Sequence, residues 1–204
     1  MKFTIFSNLA SVTLSLLFSG SVLAQSIEDA IPFLKSKDYT KAFQIIEIAA
    51  IEGDAEAMTQ LSAMYEQGLG VTQDIEKSML YLEKASNKGH SQARFVLGTK
   101  LLRGSGIKAD ISRGFELILL SAKDKNPNAQ FALCVLQSNK NYTQFDLIES
   151  YAWCKTSTTK DHENRKMAFQ LVSKADDYME KNSTVEWRAK AVARAEEYIS
   201  KYGN

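Results

Sequence analysis

Asp38, Asp74, Asp110 and Asp146 stand 36 residues apart, and this spacing limits what the chain can fold into more than any other feature. The same interval recurs in Lys41, Lys77 and Arg113; in Ala49, Ala85 and Ser121; in Ala57, Ala93 and Ala129; and in Leu61, Leu97 and Leu133. Gly68-Leu69-Gly70-Val71 returns as Gly104-Ser105-Gly106-Ile107, and Gly53 returns as Gly89. A period of this size marks stacked supersecondary units, each too small to bury its apolar face alone. Residues 38–154 are therefore read as a helical repeat array.

Each unit reads as two helices. Ala57, Leu61, Met64 and Tyr65 fall at i, i+4, i+7 and i+8, one face of a helix with 3.6 residues per turn. Gly68-x-Gly70 ends that helix, since glycine reaches positive φ without a Cβ clash. Asp74 then sits where an N-cap belongs, and the next helix buries Met79, Leu82 and Ala85-Ser86 before Gly89 closes it. The following unit repeats the logic with Ala93, Leu97 and Leu101, then Gly104, Asp110, Phe115, Ile118 and Ala122. Lys125-Asn126-Pro127-Asn128 replaces the closing glycine, and Pro127 suits the first turn of a further helix.

Residues 57–89 resemble the Sel1-like repeat, a relative of the tetratricopeptide repeat, at Ala57, Leu61, Tyr65, Gly68, Gly70, Val71, Asp74, Lys77, Lys84, Ala85 and Gly89. The unit departs from the family pattern at Ser62 for Gly, Ser78 for Ala and Tyr81-Leu82 for Trp-Tyr. The next unit keeps Ala93, Leu97-Gly98, Gly104, Gly106 and Asp110, and is looser at Lys108-Ala109 and Gly114. The resemblance implies an all-α fold, an α/α superhelical solenoid of Sel1-like or tetratricopeptide-like helix pairs with a C-terminal helical cap. Clear repeats are placed at about 54–89 and 90–125, with degenerate units at 26–53 and 126–158. The first of these has a tight Lys37-Asp38 turn; the last has lost its Gly-x-Gly but keeps Asp146 and Tyr151-Ala152-Trp153.

Residues 159–204 fall outside the period. Met167, Leu171, Lys174-Ala175 and Tyr178 suggest one amphipathic helix, and Trp187, Ala191, Ala195 and Tyr198 another, with Ser183 and Glu186 at capping-box spacing. They are read as a cap over the last repeat, as solenoids need; a separate partner-binding helix pair is the alternative. At the other end, Met1-Lys2, the apolar run 9–18 and Val22-x-Ala24 read as a signal peptide over 1–24, cleaved before Gln25. Export to the periplasm or beyond is expected. Loss of Lys2 would leave 24 basic against 24 acidic residues, a neutral chain without the basic footprint a nucleic-acid binder needs. No later apolar run has the roughly 18 residues that span a membrane.

Few residues of the chain point to catalysis. The two histidines, His90 and His162, lie at no ligand spacing from Cys or carboxylate, and His90 reads as a solvated turn residue. Gly68-x-Gly70 follows a helix and not a strand, so it fails as a nucleotide loop. No metal site, cofactor or catalytic residue is assigned, and a monomeric, non-enzymatic protein is expected. Asn141-Tyr142-Thr143 and Asn182-Ser183-Thr184 match the glycosylation pattern but are read as unmodified.

Two sets of residues remain as candidates. One period back, Cys134 and Cys154 correspond to Gly98 and Ile118, which in the Sel1-like pattern resemble core-facing positions of one hairpin. In an oxidising compartment the pair is expected to form a disulfide; two buried free thiols are the alternative. Solenoids of this type line their concave face with the first helix of each pair. With Ala93, Leu97 and Leu101 facing the core, Phe95, Thr99, Leu102 and Arg103 turn outward, and Phe131, Val135 and Asn139 follow in the next unit. These seven are the candidate partner-binding groove; packing of the Phe95 aromatic between repeats is the alternative. The resemblance implies an exported scaffold or adaptor that captures another protein. Two rivals are an inhibitor or immunity protein against a secreted effector, and an enzyme acting on cell-wall or β-lactam substrates, as implied by cysteine-rich relatives.

Overall fold

A computed structural model describes residues 26–141 and 145–203, so the signal peptide and its cleavage site, and part of the turn near Asn141, lie outside the described residues. A 3-10 turn, Ile27–Ala30, leads into α1 (Ile31–Lys35) and α2 (Tyr39–Glu52). Three hairpins follow: α3 (Ala55–Gln67) with α4 (Ile75–Asn87), α5 (Ser91–Arg103) with α6 (Ile111–Lys123), and α7 (Pro127–Ser138) with α8 (Leu147–Ser157). Then come α9 (Arg165–Asn182), α10 (Val185–Tyr198) and a closing π-helical turn, Ile199–Gly203. No strand occurs among the described residues. Through the repeats each helix packs chiefly on its neighbours in sequence, the contact pattern of a solenoid.

The four periodic aspartates explain the period. Each is the N-cap of the second helix of its unit. The carboxylates of Asp38, Asp74 and Asp110 accept the N–H of Lys41, Lys77 and Arg113 at 3.3, 2.9 and 3.0 Å. That of Asp146 accepts from Ile148 and Glu149 at 2.9 and 3.1 Å. The backbone N–H of Asp74, Asp110 and Asp146 also donates back, to the carbonyls of Tyr65, Leu101 and Gln137, at 2.9, 3.0 and 3.0 Å. One residue thus ends the loop on the preceding helix and starts the next. Such a cap stabilises a helix by about 1 kcal/mol.

A second periodic set marks where the two helices of a unit cross. Ser62 and Ser78 share a buried hydrogen bond at 3.1 Å. One period on, Gly98 meets Gly114, and a Cβ added at Gly98 would lie 2.8 Å from both the Gly114 carbonyl and the Ile118 side chain. One period further, Ser150 donates to the Cys134 carbonyl at 2.7 Å. Small residues let the backbones touch here. Between units, Gly70 serves the same end, since a Cβ there would sit 2.1 Å from the Tyr39 carbonyl. Gly53 and Gly89 close their helices at φ 105° and 88°, and Lys125 takes the same periodic position at φ 64°, so the closing geometry outlasts the glycine.

The buried side chains fall in two clusters. The first runs from Ala30 through Ile46, Leu61 and Leu82 to Leu97 and Leu101. The second runs from Ile118 through Leu133 and Trp153 to Ala195, so it joins the last hairpin to α9 and α10. Both terminal helices pack on α8 more than on each other. Trp153, Tyr198 and Tyr202 form an aromatic group, Gln130 donates to the Tyr202 carbonyl at 2.9 Å, and Thr159 to the Gly203 carbonyl at 3.0 Å. The Tyr151 hydroxyl donates to Asp176 at 2.6 Å and that of Tyr198 to Glu149, which also pairs with Arg194 at 3.1 Å. Burial, reinforced by these carboxylates, holds both phenols well above the usual tyrosine range.

Two details differ from the sequence reading. In α9 the buried face is Ala168, Val172 and Met179, whereas Met167 and Tyr178 are 52% and 59% exposed. The buried stripe is centred one position further along, while Leu171 and Ala175 of the expected face are half-buried at its edge against the same core. The N-cap of α10 is Thr184, which accepts from the Trp187 N–H at 3.2 Å, and Ser183 precedes it in extended backbone.

Gly98→Ala is expected to destabilise the chain by about 1–3 kcal/mol, since the methyl overpacks a backbone contact; urea denaturation followed by circular dichroism measures it. A second expectation concerns alkali. Both phenols ionise less readily folded than unfolded, so their stabilising contribution is complete below about pH 10 and lost as the pH rises through the folded values. The unfolding midpoint should fall above that pH, and less steeply in Tyr151→Phe/Tyr198→Phe.

Candidate functional site

The first helices of successive units lie on one side of the stack. α3 packs directly on α5, but α5 and α7 are less closely apposed. A trough of about 390 Å3 opens there, lined by Phe95, Thr99, Leu102 and Arg103 from α5 and by Phe131 and Val135 from α7. Six of the seven residues singled out by repeat position therefore come together. The seventh, Asn139, does not line the trough: it ends α7, and its side chain accepts the Asn141 N–H at 3.0 Å. An asparagine at a helix end satisfies its own turn before it can reach a neighbour.

The wall is graded in exposure. Phe95, Thr99, Leu102 and Phe131 are half-buried, Arg103 is exposed and Val135 is 42% exposed. The Thr99 hydroxyl donates to the Phe95 carbonyl at 2.8 Å and is held within its own helix. Phe95, Leu102 and Phe131 also pack on the second core cluster, so each presents one side inward and one to the trough.

Further lining comes from Ile118, Asn128, Ala132 and Leu136, and from Glu163 and Asn164. Leu136 and Ala132 flank Val135 and Phe131 on the same helix and lay within reach of periodic reasoning. Glu163 and Asn164 follow the end of the period, so no spacing points to them. His162 secures that segment: Phe131 lies 6.3 Å from its ring, Nε2 lies 2.9 Å from the Ser157 carbonyl, and Nδ1 accepts the Asn164 N–H at 3.3 Å. The buried Oδ1 of Asn128 has no hydrogen-bond partner among the described residues. Arg103 and Glu163 are the charged residues of the lining, one of each sign.

His90 is not the solvated turn residue that its position suggested. It is the N-cap residue of α5, and its Nδ1 lies 2.8 Å from the Thr59 hydroxyl, joining two units. Among the described residues no group of three or more His, Cys, Asp or Glu is placed to hold a metal, and no helix is long and apolar enough to cross a membrane.

Cys134 and Cys154 meet across the α7–α8 hairpin as a disulfide, their Cα atoms 4.8 Å apart. The bond occupies the helix crossing at which Gly98 touches Ile118 one period earlier. It therefore substitutes a covalent link for a packing contact, in the unit that lacks the Gly-x-Gly loop.

Stacked antiparallel helix pairs with a trough along their first helices define an α/α helical-repeat solenoid. The Sel1 repeat family model matches residues 33–54, 55–90 and 91–126, so three Sel1 repeats run from residue 33 to residue 126. The α7–α8 hairpin and the two helices after it lie beyond the matched residues. Among solved structures, a protective antigen present in uropathogenic Escherichia coli strains, displaying an SLR fold, is 27% identical, with a TM-score of 0.65 over 79% of this chain and 33% of that one. A Sel1 repeat protein from Oxalobacter formigenes is 23% identical, with a TM-score of 0.63 over 79% of this chain and 45% of that one. The chain thus spans less than half the length of either. An immunity protein from Pseudomonas aeruginosa aligns with a TM-score of only 0.36 at 14% identity, which carries no argument. Among curated proteins, none matches the chain. Sel1 repeats generally serve as protein–protein interaction scaffolds.

Replacing both cysteines by serine should lower stability by about 3 kcal/mol on the loop-entropy estimate for 20 residues. Chemical denaturation of wild type with and without reductant, beside the double variant, measures this. Equal stability of all three would show that the bond is not formed.

Proposed function

We propose that this chain is an exported scaffold which holds a segment of a partner protein in the trough between α5 and α7. The observation that carries this reading is the convergence of Phe95, Thr99, Leu102, Arg103, Phe131 and Val135 on one open trough, with Phe95 and Phe131, and Thr99 and Val135, at equivalent positions of two units. Half-buried aromatic and aliphatic side chains are the anchors from which binding hot spots are built. Asn128 supports it further, because a buried acceptor without a donor is satisfied when a partner's backbone N–H reaches it. Arg103 and Glu163 set the orientation of a segment bearing complementary charges.

Export rests on the leader-like residues 1–24, with cleavage before Gln25, and agrees with a disulfide, which persists in oxidising compartments. No catalytic role is assigned, and the chain is taken to act as a monomer. The test is affinity capture from envelope extract with wild type and Phe95→Ala/Phe131→Ala. A partner that uses the trough should be lost by roughly thirtyfold or more, as for truncated hot spots. An Ile51→Ala control, at a residue 71% exposed outside the trough, should retain it. Equal capture by the double variant sinks the proposal.

A further inference from the structure

The end of the solenoid holds a second cavity, independent of the trough and also of about 390 Å3. It lies between the α7–α8 hairpin and the two terminal helices. The Cys134–Cys154 disulfide and Ser150 and Tyr151 contribute to it from the hairpin, Leu171, Ala175 and Met179 from α9, and Trp187 from α10. This volume is within the range of about 300–1,000 Å3 common to small-molecule sites.

Three observations show what fits it. First, the lining is mainly apolar, and part of it is unpartnered: Leu147 and Tyr178 are 41% and 59% exposed. Second, of the stripe Leu171, Lys174-Ala175 and Tyr178 on α9, Leu171 and Ala175 are half-buried against the core, Lys174 and Tyr178 are exposed, and all four line the cavity. A wall that its own fold covers only in part is available to another apolar body. Third, the charges there have one sign. Among the described residues, Lys140 and Lys174 are the charged ones of the lining, no carboxylate lines the cavity, and neither lysine makes an ion pair.

An apolar chamber with two unpaired ammonium groups is complementary to a molecule with an apolar tail and an anionic head. We propose that this cavity binds a single-chain fatty-acid carboxylate, its tail among Leu147, Leu171, Met179 and Trp187 and its head at Lys140 and Lys174. Tail burial supplies affinity in proportion to the apolar area removed from water, and the lysines select the sign of the head. The disulfide fixes the hairpin side of the chamber. Trp187 in the wall supplies an intrinsic reporter, since the other tryptophan, Trp153, is 1% exposed in the core.

The purified protein is titrated with dodecanoate below its micelle concentration, following tryptophan emission, in parallel with dodecanol and dodecyltrimethylammonium. Saturable one-to-one binding of dodecanoate is expected, with both other amphiphiles weaker by roughly tenfold, the scale of a modest charge-pair preference. Lys140→Gln/Lys174→Gln, two surface changes that leave the core intact, should remove that preference. Ala175→Trp should fill the chamber and abolish binding, with circular dichroism confirming its fold. Equal binding of the three amphiphiles, no saturable binding, or unchanged selectivity in the lysine variant overturns the proposal. Because the trough is untouched by these variants, partner capture fails or persists independently.

Discussion

The structure depends on what one aspartate does at each loop end. Its main-chain N–H is bound to the carbonyl of the helix before it, and its carboxylate caps the helix after it. The two helices of a unit are thereby set in angle and offset by neighbouring atoms of one residue, before any side chain packs. Small residues at the crossing then let the backbones close. Since the same two devices recur every 36 residues, each hairpin reproduces its predecessor, and the stack has nothing to build but copies of one interface.

The unit that departs most from the pattern shows which parts are indispensable. α7–α8 has no Gly-x-Gly, but it retains Asp146 as cap and the close crossing at Cys134 and Ser150. Its disulfide stands where the other units rely on shape. Lys125, at a positive φ that glycine adopts more easily, makes the same point. Backbone geometry at the joints is held constant while the residues that achieve it change.

How far this was legible in the sequence follows from which features repeat. The cysteine pair does not recur, and its pairing is read from the resemblance of its positions to core-facing ones in the repeat pattern. Helix order, core faces such as Ala93, Leu97 and Leu101, and the capping aspartates are periodic, so spacing finds them. The trough was legible for the same reason: Phe95 and Phe131 occupy equivalent positions on neighbouring first helices. What spacing could not provide came from outside the period. Glu163 and Asn164 enter from an irregular segment, and α9, outside the period, centres its buried face at Ala168, Val172 and Met179, one position on from its apolar stripe. His90 escaped because its link to Thr59 runs between units, where a single unit's pattern carries no information.

The two clusters of buried side chains meet between Leu101 and Ile118, and the trough lies across that seam. One wall is carried by a helix whose buried face, Ala93, Leu97 and Leu101, belongs to the first cluster; the other is carried by α7, whose Ala129 and Leu133 belong to the second. Phe95 and Leu102 nevertheless cross the seam to pack on the second cluster beside Phe131. Both walls therefore stand on one core, and a cavity opened in that core would loosen the two of them together.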